Sequence, residues 1–137
     1  MKRIISVMFL IVFLIISSGL FFTATMAKEN RWKYIGEDAE SNKYYYDVKS
    51  IVQESKDINR VWEKRDFANI NGVALSYKAS ISLLEIDCGK KEARNIYEDL
   101  ILNDGKVFEF DRTEKPWKYI SPETVHETLY YIVCKKS

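Results

Sequence analysis

Two cysteines, Cys88 and Cys134, stand in a chain that opens with an export signal, and this combination constrains the fold more than any other feature of the sequence. Lys2 and Arg3 form a short basic region. Ile4 to Ile16 is apolar except for Ser6. Ser17, Ser18 and Gly19 interrupt the run, and Leu20 to Phe22 resume it. Thr25 and Ala27 place small residues where a signal peptidase reads them, and Lys28, Glu29 and Asn30 begin a polar chain. Residues 1–27 are therefore expected to be a signal peptide and residues 28–137 a single mature domain. The alternative is an uncleaved anchor, because Ile4 to Phe22 is long enough to cross a hydrocarbon core of about 30 Å. Only in that case does the protein touch membrane. In both cases the domain faces the periplasm or the cell surface. With no cysteine in residues 1–27, anchoring by a lipid on an N-terminal cysteine is not expected.

Outside the cytosol an even cysteine count reads as a bridge, so Cys88 and Cys134 are expected to pair; two buried free thiols are the alternative. Closing so long a loop restricts the unfolded chain by roughly 4 kcal/mol in the entropy model. A thioredoxin-like role needs a close Cys-x-x-Cys pair, which the sequence lacks. Two distant cysteines and the single histidine, His126, make no metal-ligand pattern, so neither metal nor cofactor is expected.

Composition narrows the class further. The chain of 137 residues has 21 basic and 20 acidic side chains, and removing Lys2 and Arg3 leaves the acids one ahead. A nucleic-acid binder working through bulk positive charge is excluded. The aromatic content of 14% excludes a disordered chain, and the length excludes a two-domain enzyme.

Periodicity then gives the elements. Trp32 to Gly36 reads as a strand. Ser41 to Asp47 reads as a polar turn followed by three tyrosines in a strand, with Asp47 capping a short turn or one-turn helix over Val48 to Val52. Arg60 to Ala68 alternates, and Asn71-Gly72 signals a turn. In Tyr77 to Asp87, Tyr77, Ala79, Ile81 and Leu83 face one way and Lys78, Ser80 and Ser82 the other. At Leu84 and Ile86 the second face also turns apolar, which asks for a cover. Glu92 to Leu102 alternates less cleanly; we read it as a strand, with a helix as the alternative. Asn103-Asp104-Gly105 is a hairpin turn before a strand from Val107 to Phe110. The last element has a helical period. Ser121 is expected to cap it, with Pro122 at its first position and Glu123 in the first turn, while Lys135 and Lys136 lie at its negative end. Val125, Leu129, Ile132 and Val133 share one face. The expected fold is α+β: an antiparallel sheet of about six strands packed by a C-terminal helix, with one disulfide from the end of that helix to the end of the strand preceding Cys88.

Few constellations carry chemistry. His126 has no serine or cysteine motif to serve as a general base, and reads as a surface or half-buried structural histidine. Glu85 and Asp87 point the same way along a strand; they suit a weak cation site or, more plainly, a solvated face. The five glycines form no phosphate loop. Lys90, Lys91 and Arg94 make a small basic cluster beside Cys88, suited to a polyanion or to a solvated turn. Of Tyr44, Tyr45 and Tyr46, alternation forces at least one outward, where tyrosine is a good binding anchor; ordinary sheet packing is the alternative.

The order of landmarks adds a resemblance. Trp32-Lys33-Tyr34-Ile35-Gly36 precedes Tyr44-Tyr45-Tyr46-Asp47 with Ser50-Ile51, then Val61-Trp62. Glu85-x-Asp87-Cys88 follows with Arg94 downstream, then Trp117-x-x-Ile120-x-Pro122 and Val133-Cys134-Lys135. From Trp32 to Lys135 this set resembles the surface-adhesin protein E-like domain of Gram-negative bacteria. The resemblance implies an antiparallel sheet with a helix, a disulfide between the two matching cysteines, and binding of a protein partner, a host matrix or envelope protein. This chain departs from that pattern in having no lipid-accepting cysteine. The expected function is a non-enzymatic exported binding module acting through its sheet face and loops. A structural or inhibitor-like envelope protein is the alternative, and a small hydrolase built on His126 with an acid is the competing enzyme class.

Overall fold

The alternating stretches become long neighbouring strands in the computed structural model, which describes residues 30–68 and 76–135. The signal segment and Asn71-Gly72 lie outside the described residues. β1 (Trp32–Glu37), β2 (Lys43–Asp47), β3 (Val52–Gln53), β4 (Ile58–Asp66), β5 (Tyr77–Asp87), β6 (Glu92–Leu102), β7 (Val107–Asp111) and β8 (Lys118–Tyr119) are followed by one helix, α1 (Val125–Cys134). The main path of the sheet runs β1-β2-β4-β5-β6-β7, with β3 added to β4 and β8 to β6. Every pairing is antiparallel.

Residues paired across an antiparallel ladder project to the same side, so the register sorts the side chains into two faces. One face carries Val61 opposite Leu84 and Asn59 opposite Ile86. α1 lies on this face, and its fully buried Leu129 and Val133 join Tyr46, Val61, Leu84, Ile86 and Ile120 in the core. Each of those two side chains contributes roughly 1.5–3 kcal/mol by leaving water. Leu84 and Ile86 thus receive the cover their sequence asks for. The other face carries Trp62 opposite Leu83 and Lys64 opposite Ile81, and no helix among the described residues lies on it.

Cys88 follows β5 directly and Cys134 ends α1; they form the disulfide, with Cα atoms 5.6 Å apart and 46 residues between them in sequence. The Tyr130 hydroxyl donates to the Cys88 carbonyl at 2.9 Å, a second tie between helix and strand end.

The helix starts later than its sequence suggests. Thr124, not Ser121, is the N-cap, and Pro122 and Glu123 precede the helix, with Glu123 at φ 60°. The reason is the cap: Thr124 Oγ1 accepts from the Glu127 N–H at 3.2 Å, and the Glu127 carboxylate reaches back past the cap to accept from the Glu123 N–H at 2.8 Å. Val48 to Val52 forms the turn rather than a helical turn, because Asp47 accepts the Lys49 N–H at 3.0 Å and the chain then enters β3. Glu92 to Leu102 is a strand. β5 flanks it throughout, while β7 and β8 each cover only part of its other edge, so every residue in it is half-buried. Gly105 takes φ 87° in the turn after it, a conformation that costs glycine little.

Candidate functional site

The uncovered face is aromatic and ionic together. Trp62 on β4 and Tyr97 on β6 both stand opposite Leu83 and meet edge to face with ring centres 5.3 Å apart. The Arg112 guanidinium stacks 3.5 Å above the Tyr97 ring and pairs with Asp99 at 2.7 Å. Towards β1, Tyr34 and Tyr45 meet edge to face at 5.6 Å. Lys64 lies 5.1 Å over Tyr45 and pairs with Asp66 at 2.8 Å. A third group starts at Glu85, only 3% exposed, which takes Arg60 at 2.9 Å and Arg94 at 2.6 Å. Arg94 continues to Glu114 at 2.9 Å and stacks 4.7 Å over Trp117. Rings held flat under guanidinium groups present wide amphipathic area with little rotamer freedom left to lose on binding. At the β7 edge, Val107, Phe108 and Phe110 are exposed as well.

The sequence-derived candidates scatter over this framework. Tyr45 alone of the three tyrosines points to the uncovered face; Tyr44 and Tyr46 are buried on the helix side. The Tyr44 hydroxyl donates to Asp38 at 3.0 Å. Lys90 is exposed in the β5–β6 turn. Lys91, at φ 57°, bonds Glu127 of α1 at 2.5 Å among the rings of Tyr119, Tyr130 and Tyr131. That contact raises the Lys91 pKa and lowers that of Glu127. Arg94 belongs to the Glu85 group, so Lys90, Lys91 and Arg94 do not converge. Glu85 and Asp87 are not a solvated face either: both are buried, Glu85 between two arginines and Asp87 accepting the N–H groups of Gly89 and Lys90. Among the described residues no group of three or more His, Cys, Asp and Glu side chains is placed to hold a metal ion.

A cleft of about 400 Å³ opens on the helix side, beyond the first turn of α1. Its floor is polar. One cross-strand row runs Tyr46, Glu63, Ser82, Glu98, and the next runs Tyr44, Arg65, Ser80, Leu100. The Glu63 side chain is 8% exposed, and its Oε2 atom is closed to solvent. His126 Nε2 faces that oxygen as an ion pair at 3.3 Å, with its own side chain 45% exposed. The Glu63 carboxylate raises the His126 pKa above its ordinary value, outweighing the opposing effect of partial burial. Sequence reading passed over Glu63, although an acid in phase with Val61 on an alternating strand was the available signal.

Among the described residues no helix is long and apolar enough to cross a membrane. No protein of curated function matches the chain in sequence. Crystal form II of Haemophilus influenzae protein E superposes with a TM-score of 0.56 at 15% identity, over 75% of this chain and 87% of that one. A second structure of Haemophilus influenzae protein E gives 0.58 at 12% identity, over 78% and 86%. Protein E from non-typeable Haemophilus influenzae gives 0.55 at 12% identity, over 77% and 76%. These likenesses show a shared fold. The family model for surface-adhesin protein E matches residues 32–135, through both cysteines, the tyrosine strand and the terminal helix. The chain belongs to the surface-adhesin protein E family.

Proposed function

We propose that this protein is an exported, non-enzymatic binding module that engages a protein partner through the uncovered face of its sheet and the adjoining loops. The observation that carries this reading is the face itself: Trp62, Tyr97 and Arg112 stacked in the middle, Tyr34 and Tyr45 on one side, and the Arg60–Glu85–Arg94 group on the other. Buried aromatic and arginine anchors dominate protein interfaces, and here they are already ordered. Removal of residues 1–27 leaves the domain in the periplasm or at the surface, and the partner is a host matrix or envelope protein. Tyr45 is its contact residue on the face, with Lys90 on an adjoining loop.

The test is capture of partners from envelope extracts and matrix proteins by immobilised residues 28–137. A saturable partner is expected, with affinity falling at least tenfold in Trp62→Ala and in Arg112→Ala. Failure to find any saturable partner, or one indifferent to both substitutions, overturns the reading. The second reading is a structural or inhibitor-like envelope role, in which the same face holds one envelope protein. Co-purification of one stoichiometric partner from the native periplasm distinguishes it.

A further inference from the structure

We propose that Glu63 and His126 form a proton-operated gate on the cleft beside α1, shut while the imidazole is charged and open when it is neutral. This goes beyond the reading above and lies on the opposite face of the sheet, in the row Tyr46, Glu63, Ser82, Glu98. The pair is lopsided. The Glu63 side chain is 8% exposed with its Oε2 atom closed to solvent, whereas the imidazole facing it at 3.3 Å is 45% exposed. A sealed carboxylate is stable only while a counter-charge stands against it. The counter-charge here belongs to histidine, the side chain that gains and loses its proton between about pH 5 and 8. A neutral ring keeps at most one N–H for that oxygen and no charge, whereas water offers several donors.

The surrounding groups do not take over this role. On β4, Arg65 lies 4.4 Å over the Phe67 ring. Glu63 favours the proton on His126 against both partial burial and the Arg65 charge. From β2, the Tyr44 ring meets the imidazole edge to face at 5.9 Å, and its hydroxyl is spent on Asp38. β5 brings only Ser80, Ser82 and Leu84 to the lining, and Glu98 on β6 is a second acid. Arg94 is held by Glu85 and Glu114, Lys115 by Asp111, and Lys118 stands on β8, beyond β6. Within α1, Glu127 is bound to Lys91. The helix does not lift away when the charge is lost. Cys134 ties its last turn to the sheet, while the Thr124 cap and the Lys91–Glu127 pair hold its first. The response is therefore confined to the imidazole, which has solvent on one side to swing into. Water then reaches the Glu63 carboxylate and the serine floor. Acid shuts the cleft and alkali opens it.

The test is NMR of the mature domain between pH 5.5 and 8.5, with His126 as the sole histidine signal. The imidazole is expected to titrate above its ordinary value of about 6.5. Its nuclear Overhauser contacts with the Glu63 side chain and the Tyr44 ring are expected at the acid end and lost at the alkaline end. Relaxation of the Glu63 and Ser82 side-chain protons by a dissolved neutral nitroxide should rise severalfold over the same interval. The Leu129 and Val133 methyls, under the anchored part of the helix, should not respond. Glu63→Gln is expected to return the imidazole titration towards the ordinary value. His126→Gln is expected to show the alkaline level of nitroxide access throughout, and His126→Lys, which stays charged, the acid level throughout. Access in the native protein that ignores pH overturns the proposal. So does a pH response retained in His126→Gln, or an imidazole that titrates at or below its ordinary value.

Discussion

At the scale of single residues, the fold is held by buried carboxylates whose partners come from distant strands. Glu85 is the clearest. Replacing it with alanine leaves Arg60 and Arg94 facing one another across the empty position. Both guanidinium groups still reach solvent, which moderates the loss relative to a fully buried pair. Glu85→Ala is expected to cost about 2 kcal/mol in urea denaturation, against values of 3–5 for breaking a wholly buried pair. His126 gives a pH signature. Its pKa in the folded protein is raised by Glu63, so the folded state holds the proton more tightly than the unfolded chain. That stabilisation is fully present below the unfolded value of about 6.5 and disappears as pH climbs through the higher folded value. Because the imidazole is nearly half exposed, the effect is at most about 1 kcal/mol. Stability measured from pH 5.5 to 8.5 should fall across that window in the native protein, and the fall should vanish in His126→Gln. A native profile that is flat, or a slope retained in the variant, contradicts the assignment.

At the scale of elements, Thr124 governs where the helix begins. Thr124→Ala removes the acceptor for the Glu127 N–H and is expected to cost about 1 kcal/mol, whereas Ser121→Ala should cost far less at this helix end. Equal losses in thermal or urea denaturation would place the cap elsewhere. The misread start has a physical cause. Ser121-Pro122-Glu123 carries acceptable start signals, but Thr124 caps the Glu127 N–H while the Glu127 carboxylate takes the Glu123 N–H, and Lys91 from the β5–β6 turn anchors that glutamate. The strands were more legible. Period-two alternation in β4 and β5 is a local property of the chain, as is the glycine turn before β7. The ion pairs were not legible, because Glu85 meets Arg60 and Arg94 only through a register set by three strands together. For the same reason Lys90, Lys91 and Arg94, close in sequence, part company in space: alternation and a positive φ send Lys91 to the helix and Arg94 to the other face. Glu63 was hidden by its apolar neighbours, and its place in the wall of a cleft depends on where α1 begins.

At the scale of the whole molecule, the disulfide closes a segment that contains β6, β7, β8 and α1. Reduction frees that segment in the unfolded chain and is expected to cost about 4 kcal/mol, a large share of the stability of a domain this size. The urea midpoint with and without reductant, or in the double variant Cys88→Ser with Cys134→Ser, measures it. An unchanged midpoint would mean that core packing alone carries the fold. Export and pairing were legible together in the sequence, since the compartment sets the cysteine chemistry. The two unequal faces were legible only in part. Their apolar patterns could be written down, but which one the helix covers was decided at Leu84 and Ile86.

The bridge also determines how the molecule carries mechanical load. Tension entering at the C-terminal tail passes through Cys134 to Cys88, and so to the end of β5 in the middle of the sheet, loading its ladders lengthwise. Tension entering at the other terminus meets β1, an outermost strand zipped to β2 alone. In single-molecule stretching between the two termini, β1 should detach first and at low force, and the stretch between the cysteines should never contribute to the extension unless the sulfur bond is cut.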